Sequence, residues 1–243
     1  MQVADGVHRL RRGVVNFYLV EDGGRLALVD AGGSRDWGVL IRTLASINRG
    51  LGDLEAVVLT HAHSDHVGFS ERARVDAGAT VRVHRSDAEA ARTGKSEPVE
   101  AGYGKYLLRP EAYRTLLSLA LEGGLKIAPV AVVSSFEDGE TLGVPGRPRV
   151  VLAPGHTDGS CVLMLEARRV VLSGDCLVTR NPLTGRVGPQ IMPAGLNRSS
   201  SQALASLDAL ASLPADVVLP GHGEPWTAGI AEAVSRAKAA GPS

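Results

Sequence analysis

The stretch THAHSDH, Thr60 to His66, places three of the chain's seven histidines, His61, His63 and His66, beside Asp65 in one short loop after an apolar run. Three further residues stand in matching contexts, each just past an apolar run and next to a turn-forming glycine: His156 in APGHTDGS, Asp175 in VVLSGD and His222 in VVLPGHG. Neutral imidazole is a good ligand for zinc, and a carboxylate adds charge and can bridge two ions. His61, His63 and His156 could therefore hold one ion and Asp65, His66 and His222 a second, with Asp175 as the natural bridge. Two such ions roughly 3.5 to 4 Å apart polarise a substrate and share a water whose pKa falls toward about 7, which supplies a hydroxide nucleophile at neutral pH.

The elements that must position these residues can be read from periodicity. VVNFYLV and RLALVDAGG, joined by EDGG, form a hairpin that ends in a glycine-rich turn, where Asp30 is a candidate for fixing a ligand loop. SRDWGVLIRTLASIN has a helical apolar stripe with Ser34 as its N-cap, and EAVVLT is the strand that leads into the histidine loop. GFSERARVDAG reads as a helix, ATVRVH as a strand, and SDAEAAR as a helix capped by Ser86. Strands follow at PVAVVSSF, ETLGV, RPRVVLAPG, SCVLMLEA and RRVVLSGD, and the chain closes as helix, strand and helix through ADVVLPGHG. His8 and His84, isolated on strands, read as hydrogen-bonded residues rather than ligands.

Composition limits the partners. The 243 residues are 44% hydrophobic, enough for a sizeable core, and 26 basic side chains balance 26 acidic ones, so no net field draws a polyanion or an anionic membrane. Nucleic acid and membrane are excluded on these grounds, and a small molecule is the expected partner; the sequence does not specify an oligomeric state. Cys161 and Cys176 lack metal-ligand spacing and read as buried thiols. MQVADGVHRLRRG has no apolar core of a signal peptide, which predicts a cytoplasmic protein.

Taken in order, LVDAGG, THAHSDH, GHTDGS, SGD and PGHG resemble the motif series of the metallo-β-lactamase superfamily. The resemblance runs over nearly the whole chain. It implies an α/β fold, a four-layer αβ/βα sandwich in a single domain over residues 1–243, with the seven residues above as metal ligands at one sheet edge. Two Zn2+ are the implied cofactors, with Mn2+ or Fe2+ as alternatives.

Within the superfamily the residues favour a glyoxalase II-like metallo-hydrolase acting on a small ester, thioester, lactone or similar substrate, with Asp65 and Asp175 as catalytic groups. True β-lactamases with this histidine motif are secreted and typically lack the bridging aspartate. Only 21 residues follow His222, too few for the glutathione-binding domain of glyoxalase II itself. Lactonases place a tyrosine three residues after that aspartate, where this chain has Val178. The alternative reading is a mononuclear iron persulfide dioxygenase using His61, His156 and Asp175; a non-catalytic metal-binding module is the weakest.

Substrate selection is expected in two segments without clean patterns. One is a lid insertion at about 93–129, which holds three of the four tyrosines, Tyr103, Tyr106 and Tyr113, together with Lys105, Arg109 and Arg114. The other is TRNPLTGRVGPQIMPAGLNR, with Arg180, Arg186, Met192 and Arg198.

Overall fold

A computed structural model describes every residue except Ser96, Glu97 and Leu107, together with the side chains of Tyr103 and Lys105. The chain opens with strands Gln2–Ala4 (β1), Val7–Arg12 (β2), Val15–Asp22 (β3) and Arg25–Val29 (β4), an antiparallel meander. Helix Trp37–Ser46 (α1) crosses over to Leu54–Val58 (β5), which pairs parallel to β4. Helices Ser64–Val67 (α2) and Ser70–Asp76 (α3) lead to Thr80–His84 (β6), then Ala88–Thr93 (α4), Pro110–Glu122 (α5) and Ser134–Phe136 (β7). Strands β1 to β7 make one seven-stranded sheet in sequence order.

The second sheet is built from Arg149–Leu152 (β8), Cys161–Leu165 (β9), Val170–Gly174 (β10) and, after an excursion, Val217–Pro220 (β13), in the order β13-β10-β9-β8. The excursion holds the two-stranded ribbon Val178–Arg180 (β11) and Val187–Gln190 (β12) and the helix Ser200–Ala211 (α6). Helix Ile230–Ala240 (α7) ends the fold.

The period-2 alternation of strand side chains sorts the core into three layers. On β3 and β4, Phe17, Leu19, Leu26 and Leu28 face α1 and α3, while Tyr18, Val20, Ala27 and Val29 face the second sheet. On β9, Leu163 and Leu165 meet that inner layer, and Val162 and Met164 point outward onto α6 and α7. The result is helix, sheet, sheet, helix, the four-layer sandwich that the motif series implies. No helix among the described residues is long and apolar enough to cross a membrane.

Several sequence readings change. Residues 110–122, within the segment read as lacking a clean helix pattern, form a 13-residue helix, with Pro110 in its first turn and Gly123 closing it in the left-handed region at φ 76°. Its leucines face open space rather than a core stripe: Leu116, Leu117 and Leu121 are all more than half exposed. ETLGV is no strand but one bridge, Thr141 to Arg149. Ser34 does not cap α1; its hydroxyl donates to the Gly123 carbonyl, and Asp36 occupies the cap position without a side-chain cap bond. Ser86 lies in a 3-10 turn before α4 and gives its backbone N–H to the His84 ring. Val178–Gln190 holds a strand pair where an irregular loop was expected.

Candidate metal centre

Every predicted ligand follows a strand end at the same edge of the sandwich. The THAHSDH loop leaves β5, His156 follows β8, Asp175 follows β10 and His222 follows β13. The ligand loop is anchored immediately downstream by Val67 and Phe69, both buried, with the Phe69 ring edge-on to Phe17 at 5.7 Å and to Trp37 at 5.5 Å. The sheets are tied across this edge. Cys161 N–H donates to Thr60 O at 3.0 Å, Asn16 N–H to Gly221 O at 2.8 Å, and the Tyr18 hydroxyl to Pro220 O at 2.7 Å. At Gly221 a Cβ would collide with Asp175 Oδ1 and come within 2.8 Å of His66 Cε1, so the β13 loop approaches the cluster only because this residue has no side chain.

The structure brings all seven residues together. His61, His63 and His156 form one group of possible ligand atoms, Asp65, His66 and His222 a second, and His61, His66 and Asp175 a third, each within 4.8 Å. His156 Nε2 stands 2.8 Å from His63 Nδ1 and 3.2 Å from His61 Nε2. The Asp175 carboxylate lies between the groups, 3.2 Å from His222 Nε2, 3.5 Å from both His66 Nε2 and His156 Nε2, and 4.0 Å from His61 Nε2. Asp65 Oδ2 is 3.5 Å from His222 Nε2 and 3.8 Å from His66 Nε2.

Four of the five imidazoles are held by their other nitrogen. His222 Nδ1 donates to the Val14 carbonyl at 2.8 Å, which can only accept. His66 Nδ1 donates to Asp30 Oδ2 at 2.8 Å. The Thr60 hydroxyl spends its proton on the same carboxylate and so accepts from His61 Nδ1 at 3.0 Å. Asn197 donates through Nδ2 to Met192 O, which turns its Oδ1 toward His156 Nδ1 at 3.1 Å. Each contact puts the proton on Nδ1 and leaves the Nε2 lone pair aimed at the cluster, the tautomer a metal requires.

Asp30 does this from the left-handed region at φ 59°, with Oδ1 also accepting Thr60 N–H. A buried Asp87 ties two ligand loops together, accepting from Ala62 N–H, Gly159 N–H and the Thr157 hydroxyl, each at 2.8 Å.

Electrostatics divide the cluster. Burial holds His61 and His63 below the usual histidine range and brings His156 down to about 3, with neighbouring imidazoles adding to the effect at His61 and His156. Burial also opposes charge on His66 and His222, but carboxylates outweigh it, Asp175 foremost, and raise both. For Asp175 burial favours the neutral acid, yet His222 and His66 hold it well below the carboxylate range. Even so, His66 Nε2 and Asp175 Oδ1 are buried with no hydrogen-bond partner. A buried imidazole nitrogen and a buried carboxylate oxygen left without hydrogen-bond partners are what a bound cation would satisfy, so the donor set fits divalent metal ions.

A cavity of about 650 Å³ opens onto the cluster, and Tyr106, Tyr113 and Met192 are among its lining residues. Arg109 and Arg180, expected to contact substrate, are not. The Arg180 guanidinium instead grips Glu111 on α5 at 2.7 Å, and Arg109 is exposed at the helix entry. The Tyr103 side chain lies outside the described residues. The sequence reading missed Thr60, Asp87 and Asn197. Thr60 sits inside the histidine motif and could have been suspected; Asp87 and Asn197 carry no local signal.

A helix-sheet-sheet-helix sandwich with a histidine-aspartate pocket at one edge is the architecture of a metal-binding superfamily. Residues 10–222 match the model of the metallo-beta-lactamase superfamily, and the chain belongs to that family. Among its relatives, the protein named "Probable metallo-hydrolase YflN" of Bacillus subtilis is 26% identical over 93% of this chain and 87% of its own length. The one named "Probable metallo-hydrolase YqjP" of the same organism is 30% identical over 88% of this chain and 69% of its own length. A metallo-beta-lactamase family protein of Thermus thermophilus superposes with a TM-score of 0.72 at 28% identity, covering 98% of this chain and 80% of that one. Metallo-beta-lactamase SMB-1 has the same fold at 17% identity, with a TM-score of 0.73 over 98% of this chain and 93% of its own.

Proposed function

We propose that the protein is a cytoplasmic dinuclear hydrolase that holds two divalent cations, zinc or in its place manganese or iron, and cleaves a small ester, thioester, lactone or similar carbonyl substrate. The observation that carries this reading is the position of Asp175 between the histidine groups, together with the unpartnered His66 Nε2 and Asp175 Oδ1. His61, His63 and His156 would hold one ion, Asp65, His66 and His222 the other, and Asp175 would touch both. When bound, such a pair of cations polarises the scissile carbonyl and lowers the pKa of a water toward about 7.

The chain's own groups do the rest. Asp65, partly exposed where the cluster meets the cavity, orients the attacking water and accepts its proton at Oδ2. Asp30, Thr60, Asn197 and Val14 O keep the imidazoles in the ligating tautomer through the cycle. The cavity walls exclude bulk water, and Tyr106, Tyr113 and Met192 contact the substrate.

The persulfide dioxygenase reading needs only His61, His156 and Asp175, whereas His63, Asp65, His66 and His222 crowd the same pocket. Zinc has no redox chemistry, so the two readings part under nitrogen. The zinc-loaded protein is expected to carry close to two ions per chain and to cleave an ester or thioester without dioxygen. At most one ion after reconstitution, or oxygen uptake by the ferrous form with glutathione persulfide and no anaerobic cleavage by the zinc form, would overturn the proposal.

A further inference from the structure

Outside the metal cluster the cavity is an apolar vessel. Its floor is Tyr106, Leu183 and Met192, all buried, and its walls include Leu119 and Leu196. Its rim is Tyr113, Leu116 and Leu125, each more than half exposed. The hydroxyls that line it are engaged elsewhere: Ser64 donates to Gly124 O, Thr115 to Pro182 O and Tyr106 to Ser243 O. Tyr113 alone among the described side chains brings a rim hydroxyl. Among the described side chains, no lysine, arginine or glutamate lines the space, and the carboxylates Asp65 and Asp175 belong to the cluster.

The described side chains outside the cluster offer no charge with which to compensate the desolvation of a charged substrate portion, such as the carboxylates and amine of a glutathione moiety. The pocket gains instead by taking up methylene groups, and an occupant would cover the exposed rim leucines. The roughly 650 Å³ falls within the range of sites that enclose a whole small ligand. Resting on the hydrolase reading above, we infer that the substrate is an ester or thioester bearing an uncharged apolar chain of several carbons, seated between α5 and the segment 182–196.

The test uses the zinc-loaded protein and two ester families, 4-nitrophenyl esters with acyl chains from two to twelve carbons, and acetate esters with alcohol chains of the same lengths. One family should show kcat/KM rising about threefold to fourfold per added methylene, the fold-change that about 0.8 kcal/mol per buried CH2 gives, until the cavity is full. Leu116→Lys, which puts an ammonium at the rim, should flatten that slope. Leu117→Lys, on the same helix but outside the lining, should leave it unchanged.

A binding arm separates this inference from the activity: 1-alkanols from four to ten carbons displace Nile red from the protein. Alkanol affinity rising with length, without cleavage of any ester, would sustain the apolar chain and sink the hydrolase. Turnover of the two-carbon ester with flat series in both families would sustain the hydrolase and sink the apolar chain, as would alkanol binding that ignores length.

Discussion

The histidine-aspartate edge and the α5 side of the cavity face each other across one pocket and are built on opposite principles. At the edge nearly every polar atom has an assigned partner, the ligand loops are buried, and single residues such as Asp30 and Asp87 each hold several groups. Helix α5 is held at a few points, with Leu116, Leu117 and Leu121 exposed among them. Glu111 pairs with Arg180 in its first turn and Thr115 bonds Pro182 at its middle, while Arg35 N–H holds the Glu122 carbonyl at its close and Ser34 and Ser64 hold those of Gly123 and Gly124 just beyond. Chemistry demands a fixed donor geometry, whereas a seat for an apolar chain demands only shape and the absence of charge. Substitutions at the edge should therefore act on metal and rate, and substitutions at the lid on substrate.

The largest effect is expected at Asp175. Asp175→Ala should lose metal and lower turnover beyond the roughly 10²- to 10³-fold that one transition-state-stabilising group is worth, because its carboxylate lies within 3.5 Å of nitrogens of His222, His66 and His156. Elemental analysis, kinetics and circular dichroism together decide the point. Wild-type rates would remove Asp175 from the mechanism, and loss of the fold would show it to be a structural residue. Next in size, Asn197→Ala frees the His156 ring and should weaken metal binding about 10- to 100-fold, as loss of a residue behind a metal ligand does. A metal-buffer titration that finds wild-type affinity would place the orienting force elsewhere.

The same contrast explains what could be read in the sequence. His61, His63, Asp65, His66, His156, Asp175 and His222 stand out because few residue types ligate a cation and each falls at a strand end. The strands around them were legible from alternation, and β3, β4 and β5 lie close to where their apolar runs place them. Helix α5 was not legible, since its leucines line a cavity or face solvent and make no core-facing stripe, although Pro110 and Gly123 mark its ends. Asp87 and Asn197 are ordinary surface-type residues until the fold carries them next to groups far away in the chain. Arg180 shows the converse, a side chain with a suggestive charge that the fold commits to Glu111.

Glu122 stands where the two regions join, in the last turn of α5, and sharpens the comparison through stability. Burial raises its pKa from 4.5 to about 6, Ser118 donates to Oε1, and Oε2 is buried without a partner. A raised carboxyl pKa means the folded state prefers the proton. The resulting penalty is absent below about pH 4.5, grows as pH rises through about 6, and is complete above it. Glu122→Gln should thus match the wild type near pH 4 and exceed it by up to about 2 kcal/mol above pH 7, given 1.36 kcal/mol per pKa unit. Denaturant melts at both pH values check the sign, and a gain at pH 4 that vanished at pH 8 would contradict it.

The smallest effect tests whether the lid answers to its own anchors. Thr115 is buried in α5 and its hydroxyl donates at 2.5 Å to the Pro182 carbonyl, linking the helix to the segment that forms the cavity floor. Thr115→Val keeps the shape and removes the donor, leaving that carbonyl without this bond at a cost of about 1 kcal/mol. The two walls of the cavity then lose a fixed spacing, while every histidine and aspartate of the cluster keeps its partners. The expected outcome is a KM raised severalfold for longer-chain esters, with metal content unchanged and kcat on the shortest ester within about twofold. Loss of metal in this variant would mean that the lid and the edge are one mechanical unit, and the division between them would have to be abandoned.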